Sequence, residues 1–359
     1  MRVLLSGYYG FGNLGDEALL AVIVAQLRAR FPSIEIDVLS NAAAQTAAAL
    51  AVDATPRWEW RAVRAAIARA DVVVSGGGGL LQNATSTRSL LYYAAVLREA
   101  IRAHRKTMIF AQSIGPLDLL GRFVVRRFCR GLDRATVRDE RSRVLLQELL
   151  PGTAVERTAD PVFLYDGPQE RPDLQAEGLE DVPYAVVSVR KISAMREGIP
   201  AIARAVDRLS DRHGIRAAFL PIGGAGDAEV STEIIRACKT APVLLPEPAL
   251  PKAAAILRGA RVVVGMRLHA LILAARYAVP FLAIPYDPKV AALCDELEYP
   301  LEPLWVPGHP RPADASADAL VDRLAASRDE LSAHLAERVQ SVRAAAERSF
   351  DSLAALLRE

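Results

Sequence analysis

Short apolar runs alternate with longer amphipathic stretches along almost the whole chain, and that rhythm is the strongest constraint on its fold. Residues 2–6, 34–39, 71–75, 107–112 and 134–137 read as buried strands, while 18–31, 61–70, 88–104 and 119–131 carry apolar residues at helical spacing. Such alternation builds right-handed crossovers and an open parallel sheet, whose ligands sit beyond the carboxyl ends of the strands. An acidic stretch punctuated by proline and glycine, 166–183, interrupts the pattern, which then resumes. Strands at 184–189, 217–222, 243–245, 260–265 and 281–284 alternate there with helices at 199–213, 227–239, 251–259 and 268–277. The expected organisation is an α/β protein with a Rossmann-like domain at 1–165, a linker at 166–183, a second Rossmann-like domain at 184–316 and a helical tail at 317–359. One large doubly wound domain is the alternative, which the linker disfavours.

The chain has 359 residues, more than one ordinary core accommodates. Hydrophobic residues make up 52% of it and aromatics only 6%, so its core is aliphatic and suits helices packed on parallel strands. A formal net charge of +2, with both signs interspersed, removes the electrostatic case for a nucleic-acid partner. Cys129, Cys238 and Cys294 lie far apart, which points to neither a disulfide framework nor a zinc site and fits a reducing cytosol. Met1 leads straight into a glycine loop with no signal-peptide pattern, and no apolar run is long enough to span a bilayer. The expectation is a soluble cytoplasmic protein whose membrane contact, where it has any, is peripheral. With no HExxH, no Cys/His ligand cluster and no obvious carboxylate pair, neither a metal nor a cofactor is expected.

Gly10-Phe11-Gly12-Asn13-Leu14-Gly15 matches GxGxxG in form. The dinucleotide reading is disfavoured: Gly7-Tyr8-Tyr9 separate the expected strand from the motif, and Asp16 and Glu17 would repel a phosphate at the helix start. Asn13 can instead hydrogen-bond sugar hydroxyls, and Asp16 or Glu17 can accept a proton. Carboxylates in a first turn also favour the helix dipole without any ligand, a reading that weighs as much as function for Glu17. Gly76-Gly77-Gly78-Gly79 follows a strand, so something there requires bare backbone: a ligand, an opposing domain or a tight turn.

In the second half, Gly265-Met266-Arg267-Leu268-His269 caps a valine-rich strand and opens a helix. Arg190-Lys191 ends one strand and Lys289 follows another, while Arg138 ends a strand of the first half. Cationic groups gathered at strand ends describe a receptor for a small polyanion, and arginine's bidentate fork suits carboxylate or phosphate. The bland alternatives are surface ion pairs for the arginines and a satisfied core position for His269.

Taken in order, GYYGFGNLGDEAL at 7–19, SGGGGLLQ at 75–82, AQSIGPL at 111–117, TVRDERS at 136–142, ADPVF at 159–163 and GMRLHAL at 265–271 carry a resemblance. The sequence resembles the polysaccharide pyruvyl transferase family, close to its cell-wall, CsaB-type branch. The resemblance implies a GT-B-like fold of two Rossmann-like domains facing across a cleft. It implies phosphoenolpyruvate as donor and a lipid-linked or polymeric sugar as acceptor, N-acetylmannosamine of a secondary cell-wall polymer, the kind used in S-layer anchoring, with a 4,6-ketal as product. It places Arg138, Arg190, Arg267, His269 and Lys289 at the donor; among them His269 is the candidate acid, since imidazole gives and takes protons near neutrality. Gly12, Asn13, Asp16, Gly77 and Gly78 fall on the acceptor side, with Asp16 or Glu17 taking the hydroxyl proton. The rivals are a GT-B glycosyltransferase using a nucleotide sugar and a sugar- or nucleotide-binding protein without catalysis.

Overall fold

The computed structural model describes residues 1–170 and 172–359; Arg171, inside the expected linker, lies outside the described residues. The chain divides into two compact units, Met1–Leu164 together with Arg343–Glu359, and Tyr165–Val342.

The first unit runs β1 (Arg2–Tyr9), α1 (Leu14–Arg30), β2 (Glu35–Ser40), α2 (Ala43–Leu50), β3 (Asp53–Pro56) and α3 (Trp60–Arg69). It continues through β4 (Val72–Gly76), α4 (Thr87–Arg102), β5 (Lys106–Gln112), α5 (Leu119–Phe128), β6 (Arg134–Val137), α6 (Glu140–Leu149) and β7 (Ala154–Arg157). Its seven strands make one sheet in the order β3-β2-β1-β4-β5-β6-β7, every pairing parallel. The second unit runs β8 (Tyr184–Ser188), α7 (Met195–His213), β9 (Arg216–Phe219), α8 (Ala225–Ala237), β10 (Val243–Leu244) and α9 (Leu250–Gly259). Then come β11 (Val262–Gly265), α10 (Leu268–Arg276), β12 (Phe281–Ala283), α11 (Pro288–Glu296) and α12 (Asp314–Ala326). Its five parallel strands are ordered β10-β9-β8-β11-β12. The final helix, α13 (Arg328–Arg358), begins in the second unit and ends in the first.

Both sheets rest on strands with no polar alternation. Every residue of β4 (VVVSG) and β11 (VVVG) is buried, as expected where helices cover both faces of a parallel sheet. At the strand-to-helix turns, Asn13, Ser86, Asp118, Asp139 and Asp287 each accept a backbone N–H of the helix they precede. These caps satisfy orphan donors and fix where each helix starts.

Three expectations need correction. β1 does not stop at residue 6: after an irregularity in its pairing it continues to Tyr9, which pairs with Ser40. Tyr9 is fully buried and its hydroxyl donates to Gly76 O at 2.9 Å, which carries the strand past Gly7. Gly10 therefore follows the strand directly, and the long turn invoked against dinucleotide binding is not there. Residues 166–183 belong to the second unit. Arg258 donates to Asp166 O (2.8 Å) and Pro168 O (2.6 Å), Arg276 donates to the Asp166 carboxylate (2.6 Å), and Leu174 and Leu179 are buried. The tail is not one element. α12 is held to α7 by Arg204–Asp318 (2.7 Å) and Arg208–Asp322, whereas the end of α13 sets Phe350 against Phe110 and Ser349 Oγ on Thr158 Oγ1 at 2.8 Å.

Candidate active site

Strand order reverses once in each sheet, between β1 and β4 and between β8 and β11. At such switch points the loops leave in opposite directions and open a crevice at the carboxyl edge. The glycine motifs lie at the turns after β1 and β4, and the RLH motif opens α10 after β11.

In the second unit β8, β11 and β12 are neighbours, so Arg190, Arg267, His269 and Lys289 leave one sheet edge side by side. Arg267 is the N-cap residue of α10 and His269, half-buried, lies in that helix's first turn. Arg267 is not an open cation. Its Nε donates to Asp227 Oδ2 at 2.8 Å and its Nη2 to Oδ1, with Asp227 buried in the first turn of α8. Nη1 donates to no protein group among the described residues. Gly223 explains how the guanidinium fits, because a Cβ there would lie 1.9 Å from Nη2. Arg190 is exposed, donates to Tyr286 Oη at 3.1 Å and stands 5.5 Å over that ring. Lys289, in the first turn of α11, is half-buried, and its ammonium makes no ion pair among the described residues. Lys191 is spent on Glu229 at 2.6 Å.

In the first unit Asn13 Oδ1 accepts from Gly15 N at 3.1 Å and so caps α1. Glu17 Oε1 accepts from Gly10 N at 2.9 Å; burial raises its carboxyl pKa, opposed by the backbone N–H groups of the 10–12 loop. That contact gives Glu17 the task of holding the glycine loop. Asp16, half-buried on the same turn, reaches the other glycine loop: a Cβ on Gly78 would lie 3.0 Å from Asp16 Oδ1, and one on Gly77 2.8 Å from Leu19 Cδ1. Both glycines have positive φ, so the bare backbone here serves the docking of α1 as well as the turn. Gly12 is exposed beside them. Gln112 Nε2 donates to Ser75 O and Oγ, each at 2.8 Å, and ties β5 to β4 where both loops start. Arg138 belongs to this unit, whereas the other four basic residues belong to the second. Its guanidinium pairs with Asp160 and donates to Ala111 O, its side chain is only 9% exposed, and Nη2 is buried without a partner.

Sequence reasoning missed a further cluster at this edge. Arg57 is buried and donates to Gly7 O (2.7 Å) and Tyr93 Oη (3.1 Å). Its guanidinium lies 4.5–5.2 Å from the rings of Phe11, Trp58, Tyr92 and Tyr93. Ring faces stabilise a desolvated cation, and Arg57 in turn holds the rings in place. Burial pushes the Tyr93 hydroxyl up to about 12, with Arg57 opposing and nearby Asp16 adding to the shift. Outward, Tyr8 stacks on Phe11 at 4.1 Å, and Trp58, 62% exposed, donates from Nε1 to Asn41 Oδ1 at 2.8 Å. The visible signal was Trp58-Glu59-Trp60 in a chain so poor in aromatics.

The family model for polysaccharide pyruvyl transferase matches residues 13–288, a span that takes in α1, the β4 loop, the RLH turn and β12. The chain belongs to that family. It is a transferase, and the family's general activity is pyruvyl transfer to a polysaccharide. Among curated protein sequences none matches significantly. In fold the transferase is similar to S. aureus MnaA in its UDP co-structure, with a TM-score of 0.67 and 12% identity over 100% of this chain and 97% of that one. It is also similar to Anabaena HepE in complex with UDP and glucose (TM-score 0.63, 11% identity, 100% and 99% covered). A third is the UDP-GlcNAc 2-epimerase of Neisseria meningitidis (0.63, 12%, 98% and 99%). At such identities the likeness concerns the fold, that of GT-B-type UDP-sugar enzymes.

Proposed function

We propose that the transferase moves the pyruvyl group of phosphoenolpyruvate onto N-acetylmannosamine of a lipid-linked cell-wall polymer precursor, forming a 4,6-ketal and releasing phosphate. One observation carries the reading: Arg190, Arg267, His269 and Lys289 follow three adjacent parallel strands at one sheet edge. Phosphoenolpyruvate pairs a carboxylate with a phosphate, and this set offers one free guanidinium edge, one stacked guanidinium and one ammonium to hold them.

In this reading His269 protonates the methylene carbon of the donor, since imidazole gives and takes protons near neutrality. A sugar hydroxyl bonds to the adjacent carbon and yields its proton to Asp16. The carbon–oxygen bond to phosphate then breaks, phosphate departs with the proton that Asp16 took, and the second hydroxyl closes the ketal as its proton restores His269. Arg267, Arg190 and Lys289 stabilise the charge gathering on the leaving phosphate, and Arg138 stiffens the strand ends on the acceptor side. Gly12, Asn13, Gly77 and Gly78 border the acceptor, with Tyr8 and Trp58 offering ring faces to the sugar. The enzyme works from the cytoplasm. Its contact with a lipid-linked acceptor is peripheral in this reading; no described helix is long and apolar enough to cross a membrane.

The test is phosphate release from phosphoenolpyruvate with and without a lipid-linked N-acetylmannosamine acceptor, for the parent enzyme, His269→Ala and Lys289→Ala. Acceptor-dependent release that collapses in His269→Ala supports the reading. Near-parental rates in both variants, or a nucleotide as the released product, would remove it.

A further inference from the structure

The outer face of α5 has no role in the proposed reaction. Gly121, Val124 and Val125 turn inward and are buried. Leu119, Leu120 and Phe123 face solvent at 87%, 54% and 61% exposure, and Arg126, Arg127 and Arg130 are exposed after them. At helical spacing the five positions within α5 fall within roughly a 120° arc, and Arg130 follows just past the C-cap, Cys129. The face is thus segregated along its length, apolar at the first turn and basic beyond it. Arg126, Arg127 and Arg130 make no ion pair among the described residues, whereas Arg122, nearer the flank, is taken by Glu148. The neighbouring α4 adds Leu91, 40% exposed, and the exposed Arg88.

Apolar side chains this exposed mark a surface that is covered in use. The occupant must accept a shallow apolar wedge and, a turn or two away, a row of uncompensated arginines. An anionic bilayer surface has both properties, acyl chains beneath a sheet of phosphates. We propose that α5 docks the enzyme on anionic phospholipid, with Leu119, Leu120 and Phe123 entering the interface and Arg126, Arg127 and Arg130 meeting headgroup phosphates. The inference goes beyond the reaction and stands without it, since it rests on this surface alone.

Flotation of the full chain with vesicles tests it, using phosphatidylcholine alone and phosphatidylcholine mixed with phosphatidylglycerol. Binding is expected only to the mixed vesicles. Leu119→Asp/Phe123→Asp should abolish it, and Arg126→Glu/Arg127→Glu should weaken it by at least the roughly fivefold per arginine that headgroup attraction supplies. Arg126→Lys/Arg127→Lys should retain it. All the altered side chains are exposed, so melting temperatures should match the parent and confirm that folding is intact. The proposal is overturned if the parent floats with neither vesicle, if it binds both equally, or if the variants float as the parent does. It is equally overturned if Leu119→Asp/Phe123→Asp only dissolves a dimer seen by sedimentation velocity, because the face would then belong to a second copy.

Discussion

The guanidinium of Arg267 and the carboxylate of Asp227 form a two-point ion pair in which Asp227 is almost wholly removed from water and Arg267 is 15% exposed. Asp227 orients the arginine through Nε and Nη2 and leaves Nη1 outside the pair. A pair of this kind resists the loss of one member far more than the loss of both. Arg267→Met alone is expected to destabilise the fold by about 3–5 kcal/mol, because it strands a buried carboxylate. Arg267→Met with Asp227→Leu should recover most of that in denaturant unfolding, yet remain inactive with phosphoenolpyruvate. A double variant no more stable than the single one would mean that the pair is not the buried unit described.

Gly223→Ala intrudes on the same guanidinium. The methyl group must push Nη2 off Asp227 or shift the loop. The expected result is a KM for phosphoenolpyruvate raised roughly tenfold, a little over 1 kcal/mol of binding, with the acceptor KM unchanged. Steady-state kinetics with each substrate varied in turn separates the two.

Glu17 provides a pH test. Burial raises its pKa in the folded state, so the folded protein holds this proton more tightly than the unfolded chain. Its contribution to stability is present in full below the unfolded pKa and is lost as pH rises through the folded one. Glu17→Gln keeps an oxygen for Gly10 N but has no charge to bury. Relative to the parent, the variant should gain stability from acid toward neutral pH, as read from denaturation midpoints across that range. It should also keep its turnover, whereas a proton-accepting Glu17 would lose it.

Trp58→Ala should raise the acceptor KM roughly fivefold, the scale of one lost ring-face contact, and leave donor KM and thermal stability near parental values. Trp58 is the outermost ring of the shelf, while Arg57 beneath keeps its other partners. An unchanged acceptor KM would take the shelf out of sugar binding.

Much of this architecture is written in local pattern. Strands such as β4 and β11 are unbroken apolar runs, and the Gly-rich and RLH turns follow them directly, so the parallel sheets and the strand-end place of these turns could be read. The sheet edges could not. β3 and β7 are mostly exposed and carry polar residues, which leaves them without a hydrophobic signature. β1 was cut short because Gly7 reads as a breaker, while what extends the strand is the hydroxyl of Tyr9 on a carbonyl 67 residues away. Arg267 stood out in the sequence, but Asp227 did not, since nothing local says which of many carboxylates it meets. Arg57 was hidden for a related reason: its partners come from residues 7, 11, 58, 92 and 93, and only the fold assembles them.

The course of α13 bears on how this protein is made. Phe110 and Thr158, laid down early in synthesis, find their partners Phe350 and Ser349 only in the last stretch of the described chain. Domains emerging from a ribosome ordinarily fold in order of appearance. Here the first sheet can gather its strands early but must wait, its flank uncovered, until the second unit has been translated. A nascent chain stalled before Arg343 would present that flank to chaperones and proteases, and so completion of the first unit waits on translation of the second.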